Sequence, residues 1–297
     1  MKKAEEKKER IAFIINPISG NGNKDIVLRL IDSYIDLKRF KCIIKYTKAQ
    51  GDAMRIAKKQ VKKGAVKIIA VGGDGTVNEV ASELTDTPVA LGIIPIGSGN
   101  GLARHLHIPM NVKKAVKLIN SNKITQIDYG MVNNKKFFCT CGVGFDALVG
   151  NKFSESHRRG FNTYIKTTIQ EFFRYRPSKY ILKFNSTKIK TRAFLITFAN
   201  AAQYGNNAYI SPDADIQDGL LDICIMSPFP KIIALDLGLK LFNKDINKSK
   251  FVDVMRAKEI LLKRKHSGEV HYDGEPCIMG RELNLKVVHK GLNVIIP

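Results

Sequence analysis

The chain has 297 residues, 49 of them Lys or Arg against 27 Asp or Glu, for a formal net charge of +22, and 44% of it is hydrophobic. That apolar share supports a packed core and excludes a disordered chain, and the length suits two domains or one large one. The charge favours anionic partners such as nucleotides or an acidic membrane surface; nucleic acid is not signalled, because no basic and aromatic residues interleave as in an RNA-binding sheet.

Residues Met1 to Arg10 mix both charge signs without an apolar core and read as a basic tail, not a signal peptide. No run approaches the length of a membrane span. Cys42, Cys139, Cys141, Cys224 and Cys277 lack zinc spacing, so free thiols in a reducing compartment are expected. A soluble, cytoplasmic protein is the expectation.

From Ile11 the texture is α/β. Apolar, β-branched runs at 11–15, 42–47, 66–71 and 89–94 predict strands, and helical spacing predicts helices over 26–37, 51–63, 77–84 and 112–120. Alternation of this kind makes a mostly parallel sheet. Glycine-rich loops then fall after the first, third and fourth strands, at the sheet edge where open α/β folds bind ligands. After the helix over 112–120, strand-like runs dominate (124–132, 137–143, 180–185, 192–199, 220–226, 257–263 and 283–288), interrupted by helices over 163–174 and 232–242. This predicts an antiparallel, β-rich second domain, a sandwich. The expected division is a tail over 1–10, an α/β nucleotide-binding domain over 11–131 and a β-rich domain over 132–297, whose last strand may pair with either.

Val71-Gly72-Gly73-Asp74-Gly75-Thr76 sits on a strand-to-helix turn, where bare backbone N–H groups and the positive end of a helix can hold phosphate. A ligand-free βα turn is the alternative. Asn16-Pro17-Ile18-Ser19-Gly20 is built from turn residues and taken alone reads as a loop. Pro95-Ile96-Gly97-Ser98-Gly99-Asn100-Gly101 is glycine-rich but lacks the Lys-Ser/Thr ending of a P-loop and the dinucleotide GxGxxG pattern, so phosphate loop and flexible helix entry stay equally open.

The three loops, in that order and spacing, resemble the diacylglycerol kinase catalytic family, which includes bacterial lipid kinases, sphingosine kinases and ceramide kinases. Later stretches match as well: 127–132, Gly142-Val143-Gly144-Phe145-Asp146, 212–222, and His271-Tyr272-Asp273-Gly274-Glu275. The resemblance runs from about Ile11 nearly to the end, although the GGDGT core is shared with NAD kinases. It implies an NAD-kinase-like α/β domain plus a β-sandwich, with the active site in the cleft between them. Asn16 to Gly20, Thr47, Gly72, Gly73, Asp74, Gly75, Thr76, Asn78, Glu79, Gly97, Ser98 and Asn100 would then line an ATP site. Asp273 would be the general base that accepts the proton of a lipid hydroxyl. Asp74 and Asp128 would hold a Mg²⁺ on the phosphates through water, with Glu275 assisting. A second, structural Mg²⁺ would take the Asp218 carboxylate and the carbonyls of Asp215 and Leu220. The plainer readings are a turn aspartate before glycine for Asp273 and an Asp-Gly turn for the 213–221 loop.

For the acceptor, Phe161, Tyr164, Ile165, Thr168, Ile169, Phe172 and Phe173 form an apolar stripe amid Arg158, Arg159, Lys166, Arg174 and Arg176. A core face is the first expectation; an acyl-pocket wall or a face that meets anionic lipid is the alternative. Lysine clusters at 58–59, 62–63, 113–114 and 263–265 would orient the enzyme on such a membrane, or simply be solvated. The expected activity is an ATP- and Mg²⁺-dependent lipid kinase working peripherally at the membrane, with oligomeric state open and a homodimer allowed. Gly97-Ser98-Gly99-Asn100 leans toward the sphingosine and ceramide kinases, since bacterial diacylglycerol kinases often show Gly-Thr-x-Asn. The competing readings are an NAD-kinase-like enzyme on a soluble substrate and a non-catalytic protein that binds nucleotide or anionic lipid.

Overall fold

The apolar runs at 11–15, 67–71 and 90–94 become parallel strands buried on both faces, as expected where helices cover a sheet from each side, while the run at 42–47 becomes a partly exposed edge strand. In the computed structural model, which describes residues 8–20, 24–154 and 168–297, β1 (Glu9–Ile15), α1 (Lys24–Tyr34), β2 (Phe40–Tyr46), α2 (Asp52–Lys62), β3 (Lys67–Gly72), α3 (Asp74–Leu84) and β4 (Ala90–Pro95) alternate. The strands lie in the order β2-β1-β3-β4, every pairing parallel. All of Ile11, Ala12, Phe13, Ile14 and Ile15 are fully buried, so this strand has no solvent face. After α4 (Gly101–His105) and α5 (Val112–Leu118), Ile11, Phe13 and Ile15 meet Val27 and Ile31 of α1 and Ala115 and Val116 of α5 in one cluster. The α2 and α3 helices pack together, α2 against β1 and α3 against β3 and β4. Lys67 is buried at the start of β3, where its ammonium donates to the carbonyls of Ile119 (2.9 Å) and Ser121 (2.8 Å) just past α5.

Two compact units divide the chain. The first runs to Gln126 and takes back Gly291–Pro297, and the second is Ile127–Lys290. Against the boundary expected near Val132, the chain therefore crosses inside β5 (Ile124–Val132) and returns inside β16 (Glu282–Ile295).

In the second unit β6 (Lys135–Phe137), β7 (Thr140–Gly144), α6 (Phe145–Ser154) and α7, described over 168–172, precede β8 (Ser178–Phe184), β9 (Thr187–Ala193), β10 (Leu195–Ala199) and β11 (Leu221–Met226). Then come α8 (Ala234–Phe242), β12 (Val252–Ala257), β13 (Glu259–Arg264), β14 (Gly268–Tyr272) and β15 (Glu275–Met279). One antiparallel sheet orders β12-β11-β10-β7-β14-β15; the start of β16 with β13, β8 and β9 forms the other. Leu182, Leu262, Leu283 and Leu285 from one sheet and Ile196, Phe198, Ile223 and Val270 from the other share a buried cluster, which makes this unit a sandwich.

The expected strand over 192–199 is two strands on different sheets. Ala193 ends β9 against Ser178, and Leu195 opens β10 against Met226, so the chain changes sheet at Phe194. An unbroken apolar run carries no signal for such a switch. The run over 137–143 likewise breaks at Phe138 and Cys139. The α6 helix was not expected, because a short apolar run does not separate helix from strand by period. Expected stripe residues Phe161, Tyr164 and Ile165, with Arg158, Arg159 and Lys166, lie outside the described residues.

Gly130 of β5 stands opposite Phe137, and a Cβ there would fall on the fully buried Phe137 ring. Gly130→Ala therefore lowers the unfolding free energy by about 1–3 kcal/mol, measured as an earlier midpoint in urea.

Candidate functional site

Each of the three glycine-rich turns leaves the C-terminal end of a buried strand in the first unit, and the backbone ties them into one surface. The Asn16 amide donates to the Val71 carbonyl, and the Ile96 amide to that of Gly72, both at 3.0 Å. The Asn16 side chain donates to the Thr76 hydroxyl (3.2 Å), and its oxygen takes the Ile18 amide (3.1 Å) in a local turn. Glycine is required by contact as much as by flexibility: a Cβ on Gly97 would lie 2.5 Å from the Gly73 Cα, and one on Gly20 (φ +65°) would strike the Ile96 carbonyl.

Asp74 is the brace. It opens α3, and its two oxygens accept the amides of Asn100 (2.8 Å) and Gly101 (2.7 Å), which pins the turn after β4 to the turn after β3. Asn100 adopts φ 53° and closes the same turn by donating to the Gly97 carbonyl (2.7 Å). The first turn of α3 has Gly73 as its N-cap and no side-chain cap, so backbone donors alone line the helix entrance. Ser98, Pro17 and Ile18 are exposed on these loops, whereas Thr76, Asn78 and Thr47 are buried.

Glu79 serves a different purpose from the one expected of it beside Gly75 and Thr76. Its carboxylate accepts the amides of Gly51 (2.8 Å), Ala53 (3.0 Å) and Met54 (3.4 Å), and so caps the N-terminus of α2 across the sequence.

In the second unit Asp273 and Gly274 are the two loop residues of the β14–β15 hairpin, with φ 48° and 82°, the positive pair that a type I′ turn demands. The plainer reading of Asp273 as a turn residue is thus realised, yet its side chain does more. It accepts the amides of Phe138 (2.8 Å), Cys139 (2.7 Å) and Thr140 (3.0 Å), the donors exposed where β6 breaks from β7. Glu275 opens β15 across from Tyr272. Arg264 fastens the hairpin from below by donating to the carbonyls of Gly268, Glu269, Met279 and Gly280.

Asp128 is fully buried. Its oxygens accept the amides of Gly219 and Lys290, both at 2.6 Å, and face His289 Nδ1 at 2.9 Å. Asn200 links this point to the Asp273 clamp, donating to the carbonyls of both Asp128 (3.0 Å) and Phe138 (2.8 Å). The 213–221 loop is held through its own backbone: Asp215 takes the Gln217 amide and Asp218 that of Leu220, both at 2.9 Å. Burial pushes the Asp218 carboxyl above its ordinary value, with Asp215 and Asp222 adding to the effect. No three His, Cys, Asp or Glu side chains among the described residues are grouped as a metal site, so a cation in this loop would depend on Asp218, carbonyls and water.

A polar network that sequence reading left without a role lies behind the hairpin. Asp146 Oδ2 accepts from the hydroxyls of Thr197 (3.0 Å) and Tyr204 (3.2 Å) and stands 3.0 Å from His271 Nε2. The opposite ring nitrogen, Nδ1, is buried without a hydrogen bond. Asp146 and His271 each stand in a matched stretch, which was the available signal; His289 had none.

Glycine-rich turns at the C-terminal edge of a parallel sheet, followed along the chain by an antiparallel sandwich, define a kinase class built on nucleotide-binding α/β layers. The model of the diacylglycerol kinase catalytic domain matches residues 10–132, and that of the YegS C-terminal NAD kinase beta sandwich-like domain matches residues 139–296. A Pseudomonas aeruginosa protein called "Probable lipid kinase YegS-like" is 30% identical over 258 residues, covering 86% of this chain and 84% of that one. A protein of the same description from Chromohalobacter salexigens is 28% identical over 240 residues, covering 79% and 77%. The crystal structure of a putative diacylglycerol kinase from Bacillus anthracis str. Sterne shares the fold, with TM-score 0.80 at 23% identity over 98% of each chain. The chain belongs to the diacylglycerol kinase catalytic family and is a kinase.

Asp74→Asn keeps one acceptor oxygen and turns an NH₂ toward an amide donor. It therefore lowers stability by about 1–3 kcal/mol, seen as a lower melting temperature, while Asp74→Glu recovers part of the loss.

Proposed function

We propose that this kinase transfers the γ-phosphate of ATP to a hydroxyl of a membrane lipid of the diacylglycerol or sphingoid type, with Mg²⁺ as the phosphate-neutralising ion. The observation that carries the reading is the joined surface of three glycine-rich turns, the second and third braced by Asp74 and the first tied to the second through Asn16, together with the family to which the chain belongs. Backbone amides at the entrance of α3 suit phosphate oxygens, since donors and helix dipole point the same way. Asn16, Thr76, Ser98 and Asn100 add side-chain donors around them. The lipid part of the reading is supported by the relatives, which are described as probable lipid kinases.

The acceptor oxygen attacks the γ-phosphorus, the bond to the ADP oxygen breaks, and the hydroxyl proton passes to Asp273. Three amide donors hold that carboxylate in a fixed orientation, and an ionised carboxylate is the kind of base this proton transfer asks for. Mg²⁺ would supply charge neutralisation between the phosphates. Asp74 would hold such an ion through water, with Glu275 assisting, whereas the fully buried Asp128 carboxylate, already taking two amides and facing His289, is a brace and not an open ligand. Asp218, with the carbonyls of Asp215 and Leu220, would hold the structural ion.

Incubation with labelled ATP, Mg²⁺ and a panel of diacylglycerol, sphingosine, ceramide and NAD tests the reading. Label is expected in one lipid class, and Asp273→Asn should lower kcat by about 100-fold or more with the nucleotide affinity unchanged. Full turnover by that variant removes Asp273 as base; label in NAD alone overturns the lipid assignment.

A further inference from the structure

The α8 helix is apolar on both long faces. Leu237, with Ile233 and Leu241 partly buried, packs into a cluster containing Phe145, Phe172, Phe194 and Phe229. The opposite face carries Leu235, Leu239 and Phe242, exposed by 74%, 55% and 48%, preceded by Ile232 at 90% in the helical turn that leads in. Spacings of three, four and three residues place these four on one stripe. Asp236 and Lys240 occupy one flank between the two apolar faces, and of those faces only the inner one is covered.

The described end of α7 repeats the pattern. Phe172 faces inward, stacked on Phe229 with centroids 6.1 Å apart, whereas Ile169 and Phe173 are 54% and 62% exposed. Lys231 joins the two apolar patches: its ammonium donates to the Phe173 carbonyl (3.1 Å) and lies 5.3 Å from the centre of that ring. Of the acidic groups nearby, Asp236 pairs with Lys240 (3.0 Å) and Asp245 with Lys248 (2.6 Å), and Glu171 in α7 is outnumbered by the cations around it. Lys244, Lys250, Arg174, Arg176 and Lys179 remain as exposed cations in the same stretches.

We propose that this face docks on an acidic bilayer. Ile232, Leu235, Leu239, Phe242, Ile169 and Phe173 enter the boundary between headgroups and acyl chains, and the surrounding Lys and Arg engage anionic headgroups. Charge decides between the candidate occupants. A second copy of a chain with net charge +22 would bring cations against cations, whereas a bilayer of anionic lipid attracts them. The inference rests on the lipid-kinase reading, because a lipid substrate is met at such a surface.

The test is sedimentation of the full chain with vesicles of mixed phosphatidylglycerol and phosphatidylcholine, and with phosphatidylcholine alone, without ATP. Binding is expected to the acidic vesicles and to weaken with added salt. The double variant Leu235→Asp, Leu239→Asp should bind roughly 100-fold more weakly, with an unchanged melting temperature and unchanged affinity for ATP. Equal binding by the variant overturns the proposal, as does a concentration-dependent dimer that the variant dissolves in sedimentation-velocity runs. Since vesicle binding is read without turnover, a failed lipid panel would leave a positive docking result standing, and the reverse also holds.

Discussion

Two hydrogen bonds from the Asp74 carboxylate, to the amides of Asn100 and Gly101, convert separate βα turns into one surface. The sheet below supplies rigid strand ends and one backbone bond between neighbouring turns at their bases, and Asp74 fixes the far part of the turn after β4. Gly97 comes so close to Gly73 that a Cβ on it would lie 2.5 Å from the Gly73 Cα, and that approach is held in place by the Asp74 brace. Removing the carboxylate would leave two mobile glycine turns where phosphate binding needs amides already pointed at one spot.

The same device recurs. In a chain with few acids for its many cations, carboxylates are used as acceptors for backbone amides that regular structure leaves over. Glu79 takes three at the start of α2, Asp128 takes two from distant loops, and Asp273 takes three where β6 parts from β7. Charge-assisted bonds of this type are shorter and stronger than neutral ones. They fix the conformation of loops rich in glycine and asparagine. At Asp273 the backbone sits in a type I′ turn and the side chain is held by the amides of Phe138, Cys139 and Thr140.

Much of the first unit was legible because buried parallel strands read as continuous apolar runs, and Ile11 to Ile15 could hardly be anything else. The ordered glycine motifs likewise pointed to kinase chemistry before any coordinates. What failed was the assignment of strands to sheets in the second unit. The residues of β9 alternate Lys and Thr on an edge, and the switch at Phe194 lies inside an apolar run, so neither period nor composition marks the change. Long-range partners were equally silent: nothing near Glu79 predicts a cap on α2, and nothing near Asp128 predicts Gly219 or Lys290. The apolar outer face of α8 was visible as a helix but not as an exposed one, because its inward and outward leucines look alike in sequence.

The central claim is that Asp74, together with the Asn16 bonds, makes the turns at 16–20, 72–78 and 96–101 act as one phosphate-binding surface. Backbone hydrogen exchange of the intact protein, with and without ATP and Mg²⁺, tests it directly. The account predicts that nucleotide slows exchange in all three turns together, at a common apparent affinity. Protection confined to one turn, or appearing only elsewhere in the chain, would contradict it.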